Sequence, residues 1–163
     1  MSPPTDTAEL VAPFIPWLGR WEGEGRGLWV ADPPFRYREE LAIAAVPERA
    51  LLRLTERTSS LASGELSHSE TGFLRLLPEH LVELVLAIPA GYVEVHTGEL
   101  RDGALEFEPY RIAASPGARP LRLVRRRLEL RANSLRSVIE IAVDEGPTRP
   151  HSESLLQRVA AEG

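Results

Sequence analysis

The sequence predicts an all-β chain: a meander of short antiparallel strands, closed into a barrel, with a sandwich as the alternative. Three observations lead there. Runs rich in Val, Leu, Ile and aromatics recur about every ten residues, punctuated by Gly, Pro, Asp and Ser, with little helical periodicity. In Leu128-Glu129-Leu130-Arg131 and Leu105-Glu106-Phe107-Glu108, apolar and charged residues take turns, which buries one face and wets the other. Between such runs, Arg101-Asp102-Gly103 and Ala132-Asn133-Ser134 have the chemistry of hairpin turns.

Taken in order, the small, polar, Pro-bearing opening reads as a disordered lead over residues 1–9, ahead of one domain over 10–163. Leu10 to Leu18 is apolar but carries Pro13 and Pro16, so it forms short helical turns that close over something. Strands are expected over 19–29, 35–44, 51–58, 65–77, 80–88, 92–100, 104–112, 121–131 and 135–143. In the first of them Trp21, Gly23, Gly25 and Gly27 share one face, which marks a sharp bend or a close approach of another backbone. After Pro150, the spacing of Leu155 and Val159 predicts a short C-terminal helix.

Composition narrows the function. A chain of 163 residues supports one core and not two ordinary domains. Its 19 Lys plus Arg against 24 Asp plus Glu give a net charge of -5, which argues against nucleic acid as a partner. Cysteine is absent, excluding disulfides, thiolate catalysis and Cys-ligated metal. No apolar stretch approaches membrane-spanning length and no secretory leader is present, so the expectation is a soluble cytoplasmic protein with no membrane partner.

Side-chain chemistry is sparse. The glycine cluster is neither a P-loop nor a dinucleotide fingerprint, and no G-x-S-x-G or H-E-x-x-H occurs. Of the four histidines, His80 is expected in an exposed turn, His96 pointing outward and His68 at a surface or rim. His151 either caps the tail helix, faces solvent or binds a metal. No carboxylate pair is singled out by spacing. In Arg125-Arg126-Arg127, Arg126 faces away from its neighbours, and the run reads as a solvated strand face.

Five stretches resemble the nitrobindin family. Gly19-Arg20-Trp21-Glu22-Gly23-Glu24-Gly25 matches its G-x-W-x-G-x-G. Phe35 to Glu40 is similar to F-x-Y-x-E-E, His68 to Arg75 to H-x-E-[ST]-G-[YF]-x-R, and Gly91 to Val95 to G-x-V-E-V. His151 to Arg158 is similar to the closing H-x-x-x-x-L-x-R. The likeness runs from about Leu10 to Arg158. It implies a ten-stranded antiparallel barrel like those of fatty-acid-binding proteins and lipocalins.

The same resemblance implies one haem b per chain, with His151 as the proximal iron ligand and His68 on the distal side without binding iron. Ile88 and Ile141 map to the wall. The ligands it implies are peroxynitrite, isomerised to nitrate by the ferric form, and nitric oxide, bound by the ferrous form. Family members carry P-T-I before the second motif, and Ala31 takes the position of its haem-contacting threonine. Asp32 follows Ala31, and Ser152 stands where Leu usually follows the ligand. A haem-free carrier of a small hydrophobic molecule and a packed interaction module are the alternatives, and a homodimer is left open.

Overall fold

Period-two alternation builds the structure, a computed structural model that describes residues 6–29 and 32–161. Ten strands form: β1 (Gly19–Gly27), β2 (Phe35–Ala45), β3 (Leu51–Ser60), β4 (Leu66–Leu76), β5 (Leu81–Ile88), β6 (Tyr92–Arg101), β7 (Ala104–Ala114), β8 (Leu123–Arg131), β9 (Ser134–Ala142) and β10 (Arg149–Arg158). They close in the order β1-β10-β9-β8-β7-β6-β5-β4-β3-β2, every pair antiparallel. Closure leaves no open edge. The turn between β6 and β7 has Asp102 at φ 50° and Gly103 at φ 75°, the positive values that match a tight hairpin to strand twist.

The tail corrects the expectation of a helix. Residues 149–158 form β10, pairing with β1 on one side and β9 on the other. Leu155 is 55% exposed and Leu156 fully buried, so alternation decides the face and the Leu155–Val159 spacing does not. The physical reason is tertiary. Without β10, both β1 and β9 would present unpaired N–H and C=O groups.

One end of the barrel is plugged. Trp21, Leu52, Leu74, Val82, Leu105 and Leu156 meet there, each at most 2% exposed. Burying each such side chain is worth roughly 1.5–3 kcal/mol. The prolines of the N-terminal segment limit it to α1 (Thr7–Val11) and a 3₁₀ stretch, Ala12–Trp17, whose Phe14 and Trp17 cap the plug. Asp6 accepts from the Ala8 N–H and starts α1 inside the polar lead. Residues 1–5, where most of that lead falls, lie outside the described residues. Trp21 Nε1 donates to the Trp17 carbonyl at 3.0 Å, and the Arg158 guanidinium lies 4.2 Å from the centre of the Trp21 ring.

Gly23 is a point of close approach, as the alternate glycines of β1 predict, and Gly72 on β4 is another. A Cβ on Gly23 would sit 2.0 Å from the Leu155 carbonyl oxygen, and one on Gly72 would sit 1.8 Å from that of Val85. Any side chain at either position would force neighbouring strands apart.

Candidate functional site

At the end opposite the plug the barrel opens into a cavity of about 620 Å³. This is the size of a small-molecule site and excludes an interior filled by side chains. His151 stands at its mouth, where the β10–β9 register shifts between Pro150 and Ser152. Such a bulge re-aims a side chain. The Leu28 N–H donates to the His151 carbonyl at 2.7 Å, and His151 Nδ1 lies 2.9 Å from the Leu28 carbonyl oxygen. A carbonyl can only accept, so Nδ1 carries a proton, and in the neutral ring Nε2 keeps the lone pair. Burial lowers the His151 pKa below that of a free imidazole and outweighs the opposing effect of the Leu28 bond. Trp29 packs edge-on at 5.5 Å between ring centres. The ring is oriented and held, and burial favours its neutral form.

The other expected site residues gather around it. Ile88 and Ile141, 7% and 3% exposed, line the wall, and His68 lines the same cavity from β4. Ala31 lies outside the described residues. The Asp32 carboxylate is neutralised by Arg119, whose Nη1 donates at 2.9 Å and whose guanidinium lies 5.1 Å from the Trp29 ring centre. His80 is exposed in its turn, as expected.

The cavity floor is polar, which sequence reasoning missed. Glu39, Glu56, Glu70 and Glu94 all point inward, together with Arg126. Arg126 is 10% exposed and grips both Glu70 oxygens at 2.7 and 2.8 Å, while its Nε donates to Glu94 at 2.9 Å. It is therefore the interior member of its arginine run and not part of a solvated face. His96, expected to point outward, is fully buried, its Nε2 2.9 Å from Glu94 Oε2. The reason is parity: Tyr92, Glu94 and His96 share the inward face, and Val93 is 46% exposed. His96 Nδ1 and Ser154 Oγ are buried without a hydrogen-bond partner among the described residues.

These groups hold one another in opposite charge states. Burial would raise Glu70, but the Arg126 guanidinium outweighs it and holds the carboxyl well below the usual range. Glu94 is lowered for the same reason. Burial pushes Glu39 up to about 7, and burial with the charges of Glu70 and Glu39 pushes Glu56 up as well. The signal was present in the sequence: Glu39 lies between Tyr37 and Leu41, and Glu56 between Leu54 and Thr58, at alternate positions. Carboxylates in register with buried residues must face inward.

A closed antiparallel barrel plugged at one end, with an oriented imidazole over a ligand-sized cavity, defines a small-molecule-binding β-barrel. The chain belongs to the nitrobindin family: the model of the THAP4-like, heme-binding beta-barrel domain matches residues 10–158. It is 37% identical over 145 residues to Peroxynitrite isomerase 1 of Rhodococcus jostii (strain RHA1), covering 89% of this chain and 82% of that one. Peroxynitrite isomerase 1 of Mycobacterium tuberculosis (strain ATCC 25618 / H37Rv) is 31% identical over 160 residues, covering 94% and 97%. The crystal structure of Rv2717c from M. tuberculosis superposes with a TM-score of 0.85 at 30% identity, covering 93% of this chain and 98% of that one.

Proposed function

We propose that the chain binds one haem b in this cavity through His151 Nε2, isomerises peroxynitrite to nitrate in the ferric state and takes up nitric oxide in the ferrous state. The observation that carries the reading is the bond from His151 Nδ1 to the Leu28 carbonyl. Metal-ligating histidines characteristically donate their other ring N–H to such an acceptor, which fixes the tautomer and raises basicity. The names of the relatives point to the same reaction.

The residues present fit the group. The wall is largely apolar, with Ile88, Ile141, Leu84 and Leu86 facing the cavity, as a macrocycle requires. The Arg119–Asp32 pair removes the isolated negative charge that would repel propionates at the mouth. When bound, haem supplies a Lewis-acidic ferric iron, the chemistry that rearranging peroxynitrite calls for. His151 is held in place by Leu28 and Trp29, so the ligand lone pair needs no reorganisation. His68 lines the same cavity and would be within reach of an incoming anion. A carrier of a wholly apolar molecule fits less well, because four carboxylates and a guanidinium form the floor.

The test is a hemin titration read in the Soret region, run on the protein and on His151→Ala. Saturation at one haem per chain, with the band lost or shifted in the variant, is expected. Stopped-flow mixing of the ferric form with peroxynitrite should then accelerate its decay and raise the nitrate yield. Identical weak spectra from both proteins would overturn the reading.

A further inference from the structure

Carboxylates on the cavity floor exceed the cations set against them. Arg126 makes its hydrogen bonds to Glu70 and Glu94. Glu39 and Glu56 are left out of that arrangement. Glu39, 6% exposed and facing the cavity, makes no ion pair among the described residues. The Ser154 hydroxyl favours the charged form of Glu39, but burial outweighs it. A buried carboxyl in this position either keeps its proton or takes a positive partner.

Beside it, Glu56, His68 and Glu70 each turn one ligand atom toward a common point, all within 4.8 Å of one another. His68 Nε2 is 3.3 Å from Glu70 Oε2 and 3.8 Å from Glu56 Oε2. Donors set tetrahedrally around one Zn²⁺ at its usual bond lengths lie roughly 3.4 Å apart, so small side-chain rotations complete the geometry. Register makes this convergence. Glu56 pairs with Glu70 across β3 and β4, and His68, two residues before Glu70 on the same face, pairs with Thr58 in the same register, just before the strands shift. Arg126 behind Glu70 supplies what a ligating carboxylate normally has, a hydrogen-bond donor that fixes it.

We propose that Glu56, His68 and Glu70, with Glu39 as fourth ligand directly or through one water, bind a single divalent transition cation on the barrel floor. One imidazole with carboxylates suits Zn²⁺, Fe²⁺ or Mn²⁺ better than Ca²⁺ or Cu⁺. The site shares the cavity and His68 with the proposed haem site, but it does not use His151.

The experiment is calorimetric titration of the EDTA-washed, haem-free full chain with Zn²⁺, with Co²⁺ absorption as a second probe. One saturable Zn²⁺ per chain is expected, with visible Co²⁺ bands of a low-coordinate site. Glu56→Gln and His68→Ala should each weaken binding by at least about tenfold, Glu39→Gln should weaken it less, and His151→Ala should leave it unchanged. Circular dichroism confirms the folded barrel in each variant. Glu56→Gln removes a buried acid without changing shape, so it keeps the test valid if His68→Ala unfolds. Absence of saturable binding, binding that survives Glu56→Gln, or binding lost in His151→Ala would each overturn the proposal. Hemin binding by the same preparations reports on the haem reading separately.

Discussion

Removing the guanidinium of Arg126 would leave Glu70 and Glu94 buried on the cavity floor without the cation that grips them. Both hydrogen bonds to Glu70 and the one to Glu94 are lost in Arg126→Met, which keeps the length of the side chain. Breaking a buried pair from one side typically costs about 3–5 kcal/mol, because the orphaned charge remains. Urea unfolding at pH 7 should show a loss of that order, and at pH 4 a much smaller one, since protonated carboxyls no longer need the cation. An equal loss at both values would mean that Arg126 acts through packing of its stem. The single residue also marks the limit of reading charge from sequence. Three consecutive arginines look like a wet strand edge, yet parity alone sends Arg126 inward while Arg125 and Arg127 pair with Glu108 and Glu106 outside.

At the scale of the element, β10 is where local and global preferences disagree. As a helix, Leu155 and Val159 would share a buried stripe; as a strand, Leu156 packs and Leu155 faces water. Leu156→Ala should therefore cost about 2–5 kcal/mol, whereas Leu155→Ala should stay within about 0.5 kcal/mol. Chemical denaturation of the two variants measures both, and a reversed order would refute the strand. Nine strands were legible because each carries its own alternation between turn residues. The tenth was not, because its conformation is imposed by the two edges it joins and not by its own pattern. The same asymmetry holds for the site. From its residues alone metal binding was one of three open readings of His151; the resemblance of its closing motif singled that reading out, because the bulge that aims the side chain leaves no trace in composition. The carboxylate floor was readable from register, since Glu39, Glu56, Glu70 and Glu94 each alternate with inward residues. It was overlooked because acidic residues in strands are usually on the wet face.

For the molecule as a whole, an interior that holds protons sets how stability varies with pH. Glu39 keeps its proton up to about pH 7 in the folded barrel, against 4.5 for an ordinary glutamate, because it is desolvated. Between these values the unfolded chain has released a proton that the folded chain retains. Unfolding therefore becomes easier as pH rises, and the full cost is present above pH 7. Glu56 is raised too and acts in the same sense. Opposing them, Glu70, Glu94 and His151 are lowered, so their contributions are lost as pH falls through the acid range. The two sets cross on the acid side of neutrality, and maximal stability is expected there. Glu39→Gln keeps the shape and removes the titration. In EDTA, which strips any bound cation, it should match the parent at pH 5. At pH 8 it should melt several degrees higher, the shift that a buried charge costing on the order of 3 kcal/mol produces in a domain of this size. Thermal melts at the two pH values are sufficient. Equal melting temperatures at pH 8 would mean that the carboxylate finds compensation there, and that burial of Glu39 does not govern the alkaline arm of the stability curve.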